Sequence, residues 1–473
     1  MGRLSAELRR RVMELAGLFP VLAMLVMIAG FYSHSATAAM LAGALALAGI
    51  IAFALADRSA PVIFVLVGLA MVSVAALTQP DWWGGTWNAV ERGSFVMALY
   101  TALSAIRIAA MGSEEILECG RFLAGQRPGL RYIALSIGGH LFGLILMYGS
   151  IALLGGLSKA STMRETDPEL RRHRLRRMLV AINRGFAATL CWSPLGFSMA
   201  ITLALVPGAS WNNVVLPCAV NALLLIGLGW GLDTLFKPRL SHPAPPRAAP
   251  SGKWLRHLRP LLLLLAAIVT GVVLLHNLVG VDVVAAVMTC VPAIAVAWIC
   301  LQGSLVVGGA RRHLSTQVSH FVRRELPSCG NQIVLLFMAA FIGSLGAFML
   351  EPVLPRLGLD LSVLPGWLIV VAMVWLVPLT GQLGMNPILS VSMILPILPA
   401  PEVMGVPPAA LVAAVTGGWA ISGTTSPFTA SVMLLGGFAG LPARQLGLRW
   451  NGPYALCMGC AISAWVLILI WLI

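Results

Sequence analysis

Charge is what this sequence has least of. Only 10% of its 473 residues are charged, and acids are scarcer than bases, with 17 Asp and Glu against 31 Lys and Arg. A soluble chain of this length needs far more charge to cover its surface, so the solvent for most of it is lipid. A mean hydropathy of +0.91 agrees. No Asp or Glu is expected in the middle of a span, Asp233 falling near a helix end, which argues against the carboxylate proton relay of many pumps. Walker motifs, Gly-x-Ser-x-Gly elements and metal-ligand clusters are also absent. That leaves no sequence case for ATP hydrolysis, an intramembrane enzyme, a cofactor or a metal. The eight cysteines are scattered, mostly in apolar runs, and read as small core residues, not a disulfide framework. Cys457-x-x-Cys460 has no partner ligands for zinc or redox work.

What the chain has in abundance is apolar runs near the ~20 residues needed to cross a bilayer, about eleven of them between residue 17 and residue 473. Runs this long and unalternating must be helices, because lipid offers the backbone no partners and barrel strands alternate. The fold class is therefore an all-α polytopic membrane protein. The formal charge of +14 does not imply a nucleic-acid partner, because the basic residues sort by side of the membrane.

The sorting fixes a trace. With the basic N-terminus (Arg3, Arg9, Arg10, Arg11) cytoplasmic, spans at about 17–35, 37–56, 61–78 and 92–111 return the chain to the cytoplasm at Glu114. Segment 132–157 is long enough to cross, yet the basic stretch Lys159 to Arg177 that follows must also lie inside, so 132–157 enters and returns. Span 179–206 then leaves, 214–235 comes back, and the basic linker 237–259 is inside. Spans 260–280 and 284–301 lead to Arg311, Arg312, Arg323 and Arg324, again inside. Span 331–350 crosses outward, a second hairpin occupies 363–399, and 407–440 delivers Arg444 and Arg449 to the cytoplasm. This places 27 of the 31 Lys and Arg inside, an asymmetry that is lost if both hairpins cross. A bacterial-type inner membrane and a cytoplasmic N-terminus follow, with the first apolar run retained as a helix and not cleaved as a signal peptide. The domain reading is helices 1–91, a first repeat 92–236, the linker 237–259, further helices and a basic loop 260–330, and a second, inverted repeat 331–473.

The repeat is visible in residues. Gly185-Phe186-Ala187 with Thr189, Ser193-Pro194 and Ser198 matches Gly418-Trp419-Ala420 with Ser422, Ser426-Pro427 and Ser431, without a gap, 233 positions apart. Upstream, Gly139-His140-Leu141 with Ser150 aligns on Gly381-Gln382-Leu383 with Ser392, the length difference being assigned to a charged loop insertion around Arg171 to Arg177. A proline inside a membrane helix removes one hydrogen bond and clashes with the preceding turn, so the helix breaks there. Freed backbone groups and half-helix ends surrounded by hydroxyls make a site for a small ion or oxyanion. The alternative is a plain kink with hydroxyls bonded to the preceding turn.

The candidate binding residues are Thr189, Ser193, Pro194, Ser198, Thr424, Thr425, Ser426 and Pro427 at the breaks, with His140, Gln382 and Asn386 at the hairpin turns. Those turns are read at Gly138-Gly139-His140 and at Thr380 to Pro387. His140 either carries a coupling proton, binds an anion or packs as a neutral ring. Arg184 either pairs with the charge of a substrate or snorkels to the cytoplasmic surface.

The order of hairpin, broken helix and helix in each half resembles the ion transporter superfamily, which includes divalent-anion/sodium symporters, arsenite-permease-like proteins and citrate-type carriers. Those symporters carry Ser-Asn-Thr at each break, where this chain has Cys191-Trp192-Ser193-Pro194 and Thr424-Thr425-Ser426-Pro427. The resemblance implies a homodimer of central scaffold and mobile transport domains that moves a small anionic solute elevator-fashion. Coupling to Na+ or H+ is left open. The partners expected are the solute, membrane lipids and a second copy. The alternatives are the large membrane subunit of a multi-component (tripartite-type) uptake system and a lipid- or polymer-handling membrane protein.

Overall fold

The computed structural model describes residues 12–56, 61–111, 113–237, 241, 254–304, 309–353 and 360–472. Arg3, Arg9, Arg10 and Arg11, most of the basic linker and Arg356 lie outside the described residues. Among the described residues there is no strand, and ten helices are long and apolar enough to cross a membrane. The chain is an all-α, multi-pass membrane protein.

Backbone contacts divide it into two units, each drawn from separate stretches of sequence. The first holds the described residues of Met1–Ala109, Ala267–Asp360 and Val391–Leu398. Its helices are α1 (Leu18–Ser33), α2 (Ala36–Ala56), α3 (Pro61–Thr78) and α4 (Trp82–Met111). The second unit holds Ala110–Ala266, Leu361–Ser390 and Pro399–Ile473. It begins with α5 (Glu114–Ala124), α6 (Pro128–Leu146), α7 (Tyr148–Met163), α8 (Pro168–Trp192), α9 (Phe197–Leu205) and α10 (Trp211–Leu235). Helix α11 (Trp254–Val279) is divided between the two units at residue 266. The first unit continues with α12 (Val283–Ser304), α13 (Gly309–His320) and α14 (Gly330–Leu350). Helix α15 (Gly366–Gln382) and the start of α16 (Pro387–Ile394) belong to the second unit, as do α17 (Pro408–Thr425), α18 (Ala430–Ala439) and α19 (Asn451–Leu472).

Lengths explain the architecture of the second unit. At 1.5 Å per residue, α9 and α18 span only ~14–15 Å each, half a bilayer, and α16 spans ~12 Å. Helices α15 and α16 are joined at 383–386, inside the turn expected from Thr380 to Pro387, whereas the first hairpin turns elsewhere. Gly138, Gly139 and His140 are inside α6, and the chain turns at Met147, which takes φ 50° and ψ −126°. The glycines serve close packing instead, since a methyl group on Gly139 would run into the carbonyl of Ile182. The charged stretch Arg171 to Arg177 is likewise not a loop. It forms the first turns of α8, begun by Asp167, whose carboxylate accepts from the Glu169 amide at 2.9 Å, with Pro168 at the first position. Glu91 and Arg92 are also inside a helix, since α4 starts at Trp82, ten residues before the expected span.

The register of the repeat is corrected with the turn. Gly185 packs on the carbonyl of Ser136 and Gly418 on that of Val374, while Gly143 packs on Thr189 and Gly381 on Ser422. Break positions are related by 233 and hairpin positions by 238, so the mate of Gly381 is Gly143, one helical turn beyond Gly139. Each pair needs the missing side chain for the hairpin arm to approach the broken helix. Replacing Gly185 or Gly418 by Val is expected to lower the melting temperature of the purified protein, overpacking of this kind amounting to about 1–3 kcal/mol. Unchanged melting of both variants would show that the arms do not approach so closely.

Candidate functional site

The two breaks have one geometry. Ser193 ends α8 with φ −75° and ψ 125°, and Ser426 ends α17 with φ −70° and ψ 125°. In both, the serine amide still donates to the carbonyl four residues back, Thr189 at 3.1 Å and Ser422 at 2.9 Å. The following proline has no amide to continue the ladder. The serine hydroxyl instead accepts from the amide two residues on, Leu195 at 3.2 Å and Phe428 at 3.3 Å. Gly196 and Thr429 then open the half-helices α9 and α18.

Three sets of contacts set the directions. Arg184 meets the Gly229 carbonyl while Trp211 donates to the Trp192 carbonyl, so α8 and α10 are antiparallel. Tyr454 donates to Leu225 and Trp465 to Pro217, so α10 and α19 are antiparallel. Asn451 donates to the Thr424 carbonyl and Gly417 packs on Ile462, so α17 and α19 are antiparallel. Hence α8 and α17 run in opposite directions, as the inverted repeat requires, and Leu190 packs on Gly423 beside both breaks.

Of the expected site residues, Ser426 donates to the Gly381 carbonyl at 2.6 Å, tying the second break to its hairpin beside Gln382. His140 stacks on Trp192 at 5.9 Å between ring centres and accepts at Nε2 from the indole at 3.3 Å, next to Ser193. The ring proton is then on Nδ1, which is buried beside the Gly185 backbone and has no side-chain partner. Ser198 is buried with its hydroxyl unpartnered, whereas its mate Ser431 donates to the Gly423 carbonyl at 2.6 Å. The hydroxyls of Thr189, Thr424 and Thr425 donate back to Phe186 and Ile421 at 2.7–2.8 Å, so only their lone pairs are free. Asn386 accepts from the Ile388 amide at 2.9 Å and starts α16. Gln382 is half-buried at the end of α15, and Pro194 and Pro427 are half-buried at the breaks.

Arg184 does not snorkel. It is buried at 6% exposure. Its Nε donates to Asn451 Oδ1 at 3.0 Å, its Nη1 donates to Tyr132 at 3.1 Å, and its guanidinium lies 3.9 Å over the ring of Tyr454. All of these partners are neutral. Asp233 is held by Arg177 at 2.6 and 2.9 Å, and among the described residues no carboxylate pairs with Arg184. Nearer the helix start, Arg176 lies 5.5 Å over Trp450. The mate of Arg184 is Gly417, whose surroundings include Asn221 as Arg184's include Tyr454. Among the described residues the repeat thus carries a buried arginine on the broken helix of one half only.

Sequence reasoning did not single out Asn183 or Asn221, and it had Ser422 only as a hydroxyl of the repeat match. Both polar atoms of Asn183, Oδ1 of Asn221 and the Ser422 hydroxyl are buried without partners, and a buried polar group of this kind needs an explanation. The readable signal was an amide beside an arginine in an apolar span.

Fold and site together define a polytopic membrane protein with two antiparallel broken helices, each packed against its own hairpin. No family model and no curated protein sequence matches the chain. By structure it is similar to the YdaH transporter of Alcanivorax borkumensis, with a TM-score of 0.55 and 16% identity, covering 86% of this chain and 98% of that one. It is also similar to MtrF of Neisseria gonorrhoeae, described with a class of antimetabolite efflux pumps, with a TM-score of 0.53 and 15% identity over 87% and 94%. At these identities the likeness speaks for the fold.

Proposed function

We propose that the protein is a secondary active transporter of a small anionic solute, bound in the second unit where the two breaks and hairpins meet. The observation that carries this reading is a buried guanidinium with only neutral partners, on a helix that breaks two and a half turns later at Ser193, with the unpartnered hydroxyl of Ser198 just beyond. An anion brought to this unit offsets a desolvated charge. Broken helices supply backbone donors and carbonyls at that depth without a carboxylate. The likeness to two transporters supports the same class. The reading includes a place in the ion transporter superfamily, a homodimer, elevator-type movement, coupling to Na+ or H+, and an inner-membrane orientation with the N-terminus in the cytoplasm.

Replacing Ser193 or Ser426 by Ala is expected to abolish flux of the transported anion in proteoliposomes while the protein still purifies as a folded species. Wild-type flux in both single variants would remove the breaks from the site.

A further inference from the structure

The first unit holds a basic cavity on α13 and the π-helical turn that follows it. Helix α13 has no buried residue, and its polar side carries Ser315, Ser319 and His320, opposite a row formed by Ala310, Leu314, Val318 and Phe321. It runs into a π-helical turn, Phe321–Glu325, a widened geometry often found at functional sites. Two contacts fix that turn. Glu325 is paired with Arg107 at 3.1 Å, and Gly17, just before α1, packs on the carbonyl of Val322. Glu325 is therefore engaged away from Arg323 and Arg324, which remain exposed.

Ser315, Ser319, His320, Arg323 and Arg324 line a cavity of about 600 Å³ together with Thr316 and Glu14. The volume is that of a ligand site. Two guanidiniums, an imidazole and three hydroxyls facing one carboxylate suit a phosphate oxyanion. Depth identifies its source. Helices α12 and α14 are both long and apolar enough to cross the bilayer, so α13 and its π-helical turn, between them in sequence, belong where the hydrocarbon ends and headgroups begin. Basic pockets at that level, on the leaflet that carries positive loops, meet anionic lipid.

We propose that this cavity is a binding site for the phosphate headgroup of an anionic phospholipid, independent of the transport reading. The test uses the full chain in nanodiscs of mixed phosphatidylglycerol and phosphatidylcholine, with lipid retained through purification measured by mass spectrometry. The wild type is expected to retain phosphatidylglycerol preferentially, and R323Q/R324Q to lose roughly tenfold of that preference. R323K/R324K keeps the charge and is expected to retain most of it. No preference in the wild type, or equal retention by R323Q/R324Q, would overturn the proposal. So would stabilisation by glycerol 3-phosphate or inorganic phosphate equal to that by the lipid, which would make the ligand a soluble phosphate.

Discussion

Arg184→Gln is expected to lose anion transport by roughly tenfold to a hundredfold or more while its melting temperature stays level or rises. The two halves of this result come from different physics. Among the described residues the guanidinium has no carboxylate to offset its desolvation, only Asn451, Tyr132, the Gly229 carbonyl and the ring of Tyr454. Exchanging a buried charge for a neutral side chain of similar reach is often neutral or stabilising. A charge-assisted hydrogen bond to a bound anion is worth about 1.5–3 kcal/mol, about one to two decades of affinity. If Arg184 only fastened helices together, the variant would melt earlier. Arg184→Lys is expected to fall between, because an ammonium neither forks nor stacks on Tyr454 as a guanidinium does. Stability and flux measured on one preparation check both halves, and wild-type flux in Arg184→Gln would mean that the solute never meets this residue.

Asn451→Asp reaches the same charge from its partner and is expected to have an equally large effect. Asn451 accepts from Arg184 at 3.0 Å and donates to the Thr424 carbonyl at 3.1 Å, so it ties the cation to the end of the second broken helix. A carboxylate there keeps the first bond and strengthens it, but turns an acceptor towards the Thr424 carbonyl. The new carboxylate would act as a built-in counterion, and anion affinity is expected to fall by roughly a hundredfold. Asn451→Ala separates the contributions. It removes the tie to Thr424 without adding charge, so it is expected to lower stability more and anion affinity less than Asn451→Asp. Equal affinities in the two variants would show that charge at this position is irrelevant to the solute.

How much of this was legible in the sequence depended on the range of the interaction. The breaks were readable because proline acts on its own turn, and Ser193-Pro194 and Ser426-Pro427 recur in matching surroundings. Asp167-Pro168 was an equally local signal for the start of α8, obscured by the charge that follows it. The first hairpin turn was not readable. Leu146-Met147-Tyr148 contains no turn-forming residue, whereas Gly138-Gly139 invites a turn and in fact makes room for Ile182. That one displacement shifted the upstream alignment by a helical turn and paired Gly139 with Gly381 in place of Gly143. The surroundings of Arg184 were beyond reach for another reason. Tyr132, Gly229 and Asn451 come from three helices, 52, 45 and 267 residues away, and no periodicity links them. The sequence left Arg184 as a choice between pairing with the charge of a substrate and snorkelling, and its burial among these neighbours removes the second.

Binding of a small anion in the second unit, at the antiparallel breaks and drawing on Arg184, is tested most directly by a thermal-shift titration of the wild type, S193A/S426A and R184Q with carboxylates, sulfonates, amino acids and oxyanions, each with and without sodium. At least one anion is expected to raise the melting temperature of the wild type, and both variants are expected to lose the shift. Stabilisation by neutral or cationic solutes alone, or an anion shift of equal size in all three proteins, would contradict it.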